Sequence, residues 1–134
     1  VAIHTPGHAS DHLCYYMPEE KALFTGDVVL SGSTSVIPAG DGDLLDYMNS
    51  LERLQGYDVR RIYSAHGPVI EDPAAVIAEY LEHRAMRQRQ VKDALDAGLR
   101  TPAEIVARVY PGLPQSLVPA AEDTVRAHLQ LFEE

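Results

Sequence analysis

The sequence predicts an α/β (α+β) fold followed by an all-helical tail, and three observations carry that expectation. Short β-prone runs separated by turn residues fill residues 1–30, the apolar spacing becomes helical at Asp43, and a strand-like run returns at Val59 before helical patterning takes over. The 134 residues suit one compact unit or two small ones sharing a helix. We expect a first unit over residues 1–83 and a helical one over 84–134.

Val1–Ile3 is a short apolar run, and Pro6-Gly7 breaks the following His4-Thr5-Pro6-Gly7-His8 into a turn. Leu13–Met17 and Ala22–Thr25 flank Pro18-Glu19-Glu20-Lys21 as the two strands of a hairpin. Ser31–Gly42, with Gly32, Pro38, Gly40 and Gly42 among small polar residues, reads as an exposed loop. Leu44, Met48, Leu51 and Leu54 then recur at helical spacing, and Gly56 is placed to end a helix over about residues 43–55. Val59–Ala65 is the next strand, stopped by His66-Gly67-Pro68. Asp72-Pro73 pairs an N-cap with proline at the first helical position, and the pattern runs from Val76 through Tyr80 to Leu95 before Gly98. Thr101-Pro102-Ala103-Glu104 is a capping box that opens a helix with Ile105, Val106 and Val109 on its buried side. After Pro111, Gly112 and Pro114, the stripe Val118, Ala121, Val125, Leu129 and Phe132 marks a last helix, with His128 on its apolar side as a core histidine.

Hydrophobic residues at 46% and charged residues at 23% exclude disordered, collagen-like and fibrous classes. Runs such as Leu13–Met17 and Val28–Leu30 fall far short of the roughly 20 residues of a membrane span. A single cysteine, Cys14, cannot form an internal disulfide, so a reducing, cytoplasmic setting is expected. Twenty acidic against 11 basic residues give a charge of −9, a field that repels polyanions. Nucleic acid could then be held only by a local patch, for which Arg84, Arg87, Arg89 and Lys92 on one helix are the candidates, among Glu79, Glu82, Asp93 and Asp96.

The chemistry gathers in three turns. Pro6-Gly7 bars a helix around His4, His8, Asp11 and His12, so these belong to a loop whose side chains can converge. Asp27 ends the run Leu23-Phe24-Thr25-Gly26, and His66 ends Val59–Ala65. Alone, Asp27 reads sooner as a turn or cap aspartate than as a ligand, and His66 sooner as a hydrogen-bonded structural histidine. Together, three strands that each run into a Gly-flanked His or Asp look like one site built from strand ends, with donors suited to zinc or another borderline divalent ion.

The series Thr5-Pro6-Gly7-His8, Phe24-Thr25-Gly26-Asp27 and Ala65-His66-Gly67-Pro68 resembles, in order and spacing, the later metal-binding motifs of the metallo-beta-lactamase fold. Asp46-Tyr47-Met48-Asn49-Ser50-Leu51, Gly67-Pro68-Val69-Ile70, His83-Arg84 with Arg87 and the helical tail are similar to the beta-lactamase-like protein 2 group, which includes zinc endoribonucleases. The resemblance implies the C-terminal half of an αββα sandwich followed by a winged-helix-like domain. It implies two zinc ions, with His8 on the first, Asp27 bridging and His66 on the second, while His4, Asp11 and His12 orient these ligands or face the substrate. The family's His-x-His-x-Asp-His motif does not occur, and the tail ends at Glu134 before any wing strands, so we expect a piece of a longer enzyme.

The intact parent is then expected to hydrolyse an ester or phosphodiester by a hydroxide held between two zincs, RNA being favoured and a hydroxyacylglutathione hydrolase-like thioesterase the alternative. The 134-residue chain itself is expected to be inactive, and to form a homodimer that covers an open sheet face. The competing class is a non-enzymatic binding module on a degraded fold.

Overall fold

The computed structural model describes residues 1–30 and 42–133. The loop expected over Ser31–Gly42 lies, except for Gly42, outside the described residues. In chain order the elements are β1 (Ala2–His4), β2 (Leu13–Met17), β3 (Ala22–Gly26), α1 (Leu44–Leu54), β4 (Arg61–Ser64), α2 (Pro73–Asp96), α3 (Pro102–Val109), a 3-10 turn (Gln115–Leu117) and α4 (Val118–Glu133).

The strands form one sheet in the order β1-β2-β3-β4. β1, β2 and β3 meander antiparallel, with Ile3 opposite Cys14 and Tyr16 opposite Leu23. β4 runs parallel to β3, with Leu23 opposite Ile62, because α1 carries the chain back across the sheet. Side chains alternate between faces. Ile3, Cys14, Leu23 and Ile62 point to one side and pack with Leu44, Tyr47, Leu51 and Leu54 of α1 and Ile77 and Tyr80 of α2. Leu13, Tyr15, Met17, Phe24 and Tyr63 are exposed on the other side, where Phe24 and Tyr63 stack with ring centroids 5.2 Å apart.

A second core lies in the tail, where Val91 and Ala94 of α2 meet Ile105 and Val106 of α3 and Ala121 and Val125 of α4. α2 runs without interruption through positions 83 and 84, so the two cores share a helix and no linker separates them. α4 also joins them, giving Ala127 and Leu131 to the first core and Val125 and Leu129 to the second. The local start signals operate as the sequence predicts. Asp72 accepts from the Ala75 N–H with Pro73 in the first turn, and Thr101 and Glu104 close a reciprocal capping box. Among the described residues no helix is long and apolar enough to cross a membrane.

His128 is buried at the seam of α2 and α4, where its Nδ1 meets the Gln88 side-chain oxygen. Burial first, then the nearby Arg84, Arg87 and His83, pull its pKa down to about 3. Below the ordinary value of 6.5 the unfolded chain takes up a proton that the folded chain refuses until about 3, so stability falls as pH drops through that window. Burial lowers the pKa of His83 and His12 too, which adds slope of the same sign. One such proton costs about 1.4 kcal/mol per pH unit at most. Urea unfolding between about pH 6.5 and pH 4 should show this loss, and His128→Gln should flatten it relative to the parent chain; an identical slope in the variant contradicts the assignment.

Candidate metal centre

Residues 4–12 leave β1 and return to β2, and α1 fixes the first half of that loop by its backbone. Three carbonyls along it each meet a donor from α1 or its cap: His4 O from the Arg53 guanidinium, Pro6 O from Ser50 Oγ at 2.7 Å, and Gly7 O from the Asp43 N–H at 2.8 Å. Positions 43, 47, 50 and 53 stand on one helical face, so a single docking event satisfies all three carbonyls. Gly7, at φ +140°, lies so close to this face that a Cβ there would stand 2.3 Å from Tyr47 Cα. His8 follows at once and is thereby aimed at the ends of β3 and β4.

Asp27 begins the turn after β3, and hydroxyls hold that turn one carbonyl at a time. Tyr47 Oη donates to Val28 O at 2.6 Å, Thr25 Oγ1 to Val29 O at 2.8 Å, and Tyr80 Oη to Leu30 O at 2.7 Å. The Ala65 N–H donates to Gly26 O at 3.0 Å, which brings the end of β4 against Asp27, and Ser64 Oγ donates to the His66 carbonyl. Gly26, at φ +54°, leaves room for an imidazole, since a Cβ there would be 2.8 Å from His12 Nε2.

The result is a carboxylate between two imidazoles. Asp27 Oδ2 stands 4.0 Å from His8 Nε2, and the other oxygen, Oδ1, stands 3.7 Å from His66 Nε2. Both distances exceed a hydrogen bond. Two ligands of one tetrahedral zinc sit about 3.3 Å apart, so both pairs are somewhat wider than a shared ion would hold them, the His8 pair more than the His66 pair. The donor set of neutral imidazole and carboxylate fits zinc or a similar divalent ion. Among the described residues no three His, Cys, Asp or Glu side chains close a cage of their own. The two pairs share Asp27 and nothing else.

His12 lies beside this group in a chain of hydrogen bonds. Its Nδ1 is 2.9 Å from Thr5 Oγ1, which lies 3.3 Å from Cys14 Sγ, which in turn lies 3.8 Å from Thr25 O. Burial pushes the Cys14 thiol up to about 11, so it keeps its proton for Thr25 O and accepts from Thr5. Thr5 then accepts from His12 Nδ1–H, which leaves the His12 Nε2 lone pair facing Gly26. Burial and then His8 lower the His12 pKa against the pull of Asp27 and Asp11, and keep it neutral. His4 does not join the cluster, because its Nε2 bonds Ser10 O at 2.9 Å. Asp11 is exposed and reaches His12 only through its charge.

The four basic residues of α2 do not share one exposed patch. Arg84 is buried over the Tyr47 ring, 5.2 Å from its centroid. Arg87 lies 4.1 Å from the Tyr110 ring centroid and donates to Gln90 at 2.8 Å, and Lys92 pairs with Asp96 at 2.9 Å. Arg89 is exposed. Arg84 and Arg87 turn inward because α2 is the shared helix of two cores. The sequence motifs include Thr5, Tyr47 and Ser50 without assigning them a role, and leave Arg53 out; in the fold these four order the loops that carry His8 and Asp27. The signal available for Ser50 was a small polar residue on the apolar face of a helix, where only a partner from another segment could satisfy it.

Residues 1–66 match the family model "Metallo-beta-lactamase superfamily", and residues 101–134 match "Beta-lactamase associated winged helix domain". A Caenorhabditis elegans protein, "Beta-lactamase-like protein 2 homolog", is 37% identical over 129 residues, covering 96% of this chain and 42% of its own length. The "Atrochrysone carboxyl ACP thioesterase" of Aspergillus chevalieri is 40% identical over 124 residues, covering 87% of this chain and 39% of its own length. A crystal structure of a metallo-beta-lactamase family protein from Thermus thermophilus superposes with a TM-score of 0.83 at 28% identity, covering 98% of this chain and 43% of that one. The chain thus spans less than half the length of the relatives it matches. His8, Asp27 and His66 all fall within or at the end of the first matched segment, and the shared fold covers both cores. On the two matched segments and the fold, the chain belongs to the metallo-beta-lactamase superfamily, with a beta-lactamase-associated winged-helix domain as its tail.

Proposed function

We propose that His8, Asp27 and His66 are metal ligands of a zinc-dependent hydrolase, and that the bond it cleaves is an ester or thioester. The observation that carries this reading is the division of one carboxylate, each oxygen of Asp27 facing a different imidazole at 3.7–4.0 Å. A structural aspartate would close a hydrogen bond with one of them; a ligand shared by two ions would face both. Zinc, when bound, supplies Lewis acidity toward a carbonyl or phosphoryl oxygen and makes water a nucleophile near neutral pH. His8 and His66 would hold it through ring nitrogens and Asp27 would offset its charge, while the Thr5–Cys14 chain fixes the ring of His12 beside them. The free, buried thiol of Cys14 suits a reducing compartment such as the cytoplasm.

RNA is the second reading, the one that the resemblance of the sequence motifs to a group with zinc endoribonuclease members implies. Its support in the sequence was the basic helix, and Arg84, Arg87 and Lys92 are engaged within the protein. With a charge of −9 and those cations occupied, a small acyl substrate is favoured over a polyanion, in keeping with the thioesterase name of the Aspergillus relative. Each ion would draw two side chains from this chain, below the three of a typical catalytic zinc site, so residues 1–134 alone should turn over neither substrate.

Assay of the protein at its natural length against an acyl thioester and a single-stranded RNA tests both readings. The expected result is thioester hydrolysis that a chelator abolishes and zinc restores, with Asp27→Asn slower by more than about 100-fold. Activity that survives chelation refutes the metal reading, and faster turnover of RNA selects the second one.

The outer face of the sheet motivates a companion proposal, that a second copy covers Leu13, Tyr15, Met17, Phe24 and Tyr63 when the 134-residue chain is alone. Light scattering should then give a dimer at micromolar concentration, and Tyr15→Glu with Phe24→Glu should give a monomer. A monomeric parent chain would sink this proposal.

A further inference from the structure

Tyr47 meets both ligand-bearing turns, the first with its backbone and the second with its hydroxyl. Gly7, whose missing Cβ would lie 2.3 Å from Tyr47 Cα, immediately precedes His8. Val28, whose carbonyl accepts from Tyr47 Oη at 2.6 Å, immediately follows Asp27. Tyr47 is fully buried, with Arg84 over its ring, so the ring has no room to swing. A tyrosine has two rotatable side-chain bonds and a fixed length from Cα to hydroxyl, which makes it a spacer as well as a filler.

From this juxtaposition we propose that Tyr47 is a positioning residue that sets the separation of His8 from Asp27, its backbone bearing on Gly7 and its hydroxyl holding Val28. The proposal rests on the metal reading above and adds a residue to it that is not itself a ligand. The two contacts are separable by substitution. Tyr47→Phe keeps the ring, the burial, the contact with Arg84 and the close approach to Gly7, and removes the donor to Val28 O. A buried carbonyl deprived of its donor pulls its turn toward another partner or water. Asp27 would then move relative to His8, while the fold persists.

A control of the same chemistry exists far from the site. Tyr16 Oη also donates to a carbonyl at 2.6 Å, that of Asp58. Tyr16→Phe therefore deletes a hydrogen bond of the same type without touching either turn, and reports what loss of a tyrosine hydroxyl does through stability alone.

The test is cobalt(II) binding by the protein at its natural length, read by calorimetric affinity and by the visible absorption of the bound ion, with urea midpoints recorded for every variant. We expect Tyr47→Phe to bind cobalt about 10- to 100-fold more weakly and to shift the absorption bands, as removal of a residue that orients a ligand does. Tyr16→Phe should match the parent in affinity and spectrum. His8→Ala should lose at least one bound equivalent. If His8→Ala binds like the parent, the metal reading fails and the positioning role falls with it. If His8→Ala loses metal while Tyr47→Phe keeps the parent's affinity and spectrum, the positioning role alone is overturned. Equal weakening by Tyr47→Phe and Tyr16→Phe, in step with their urea midpoints, overturns it as well, because a general loss of stability would then suffice.

Discussion

Between Gly7 and Tyr47 there is no space for a side chain, and the rest of the site is arranged around that close approach. It lets α1 lie directly on the backbone of residues 4–7, where Arg53, Ser50 and the Asp43 N–H donate to the carbonyls of His4, Pro6 and Gly7. Burying a loop's polar backbone is costly unless each group finds a partner. Here the partners come from one helical face, so the loop has one way to dock and His8 one direction to take. The same logic governs the turn after β3, where the hydroxyls of Tyr47, Thr25 and Tyr80 donate to the carbonyls of residues 28–30.

The tail is coupled to this arrangement through α2. Its first half supplies Tyr80 to the Asp27 turn and Arg84 to the Tyr47 ring, and its second half forms the tail's own core with α3 and α4. An arginine buried over an aromatic ring keeps part of its interaction energy when water is removed, which a lysine on the surface would not. The winged-helix portion is thus continuous with the element that braces the candidate metal centre, and a helix break near position 84 would disturb both cores.

Much of this was legible in the sequence wherever the determinant is local. The Asp72-Pro73 start, the Thr101 to Glu104 capping box and the Pro18-to-Lys21 hairpin turn rest on neighbours a few residues away, and the helices and strands follow them. His8, Asp27 and His66 stood out as candidates because each lies beside a glycine in a turn that follows a strand. What the sequence concealed depends on partners far along the chain. Nothing local shows that Ser50 reaches Pro6, 44 residues away, or that Arg84 turns inward onto Tyr47. Counted as charges, Arg84, Arg87, Arg89 and Lys92 looked like a surface that could bind phosphate. Placed in the fold, only Arg89 stands clear of those contacts as an exposed side chain. His4 shows the same limit, since proximity in sequence to His8 and His12 did not bring it to the cluster.

The central claim is the proposal that the two oxygens of Asp27, which face different imidazoles, would each serve a metal ion, one held with His8 and one with His66. Anomalous diffraction at the zinc edge, from crystals of the zinc-loaded protein at its natural length, tests it most directly. The account predicts two peaks flanking the Asp27 carboxylate, one on the His8 side and one on the His66 side. A single peak, or none within bonding distance of Asp27, would contradict it.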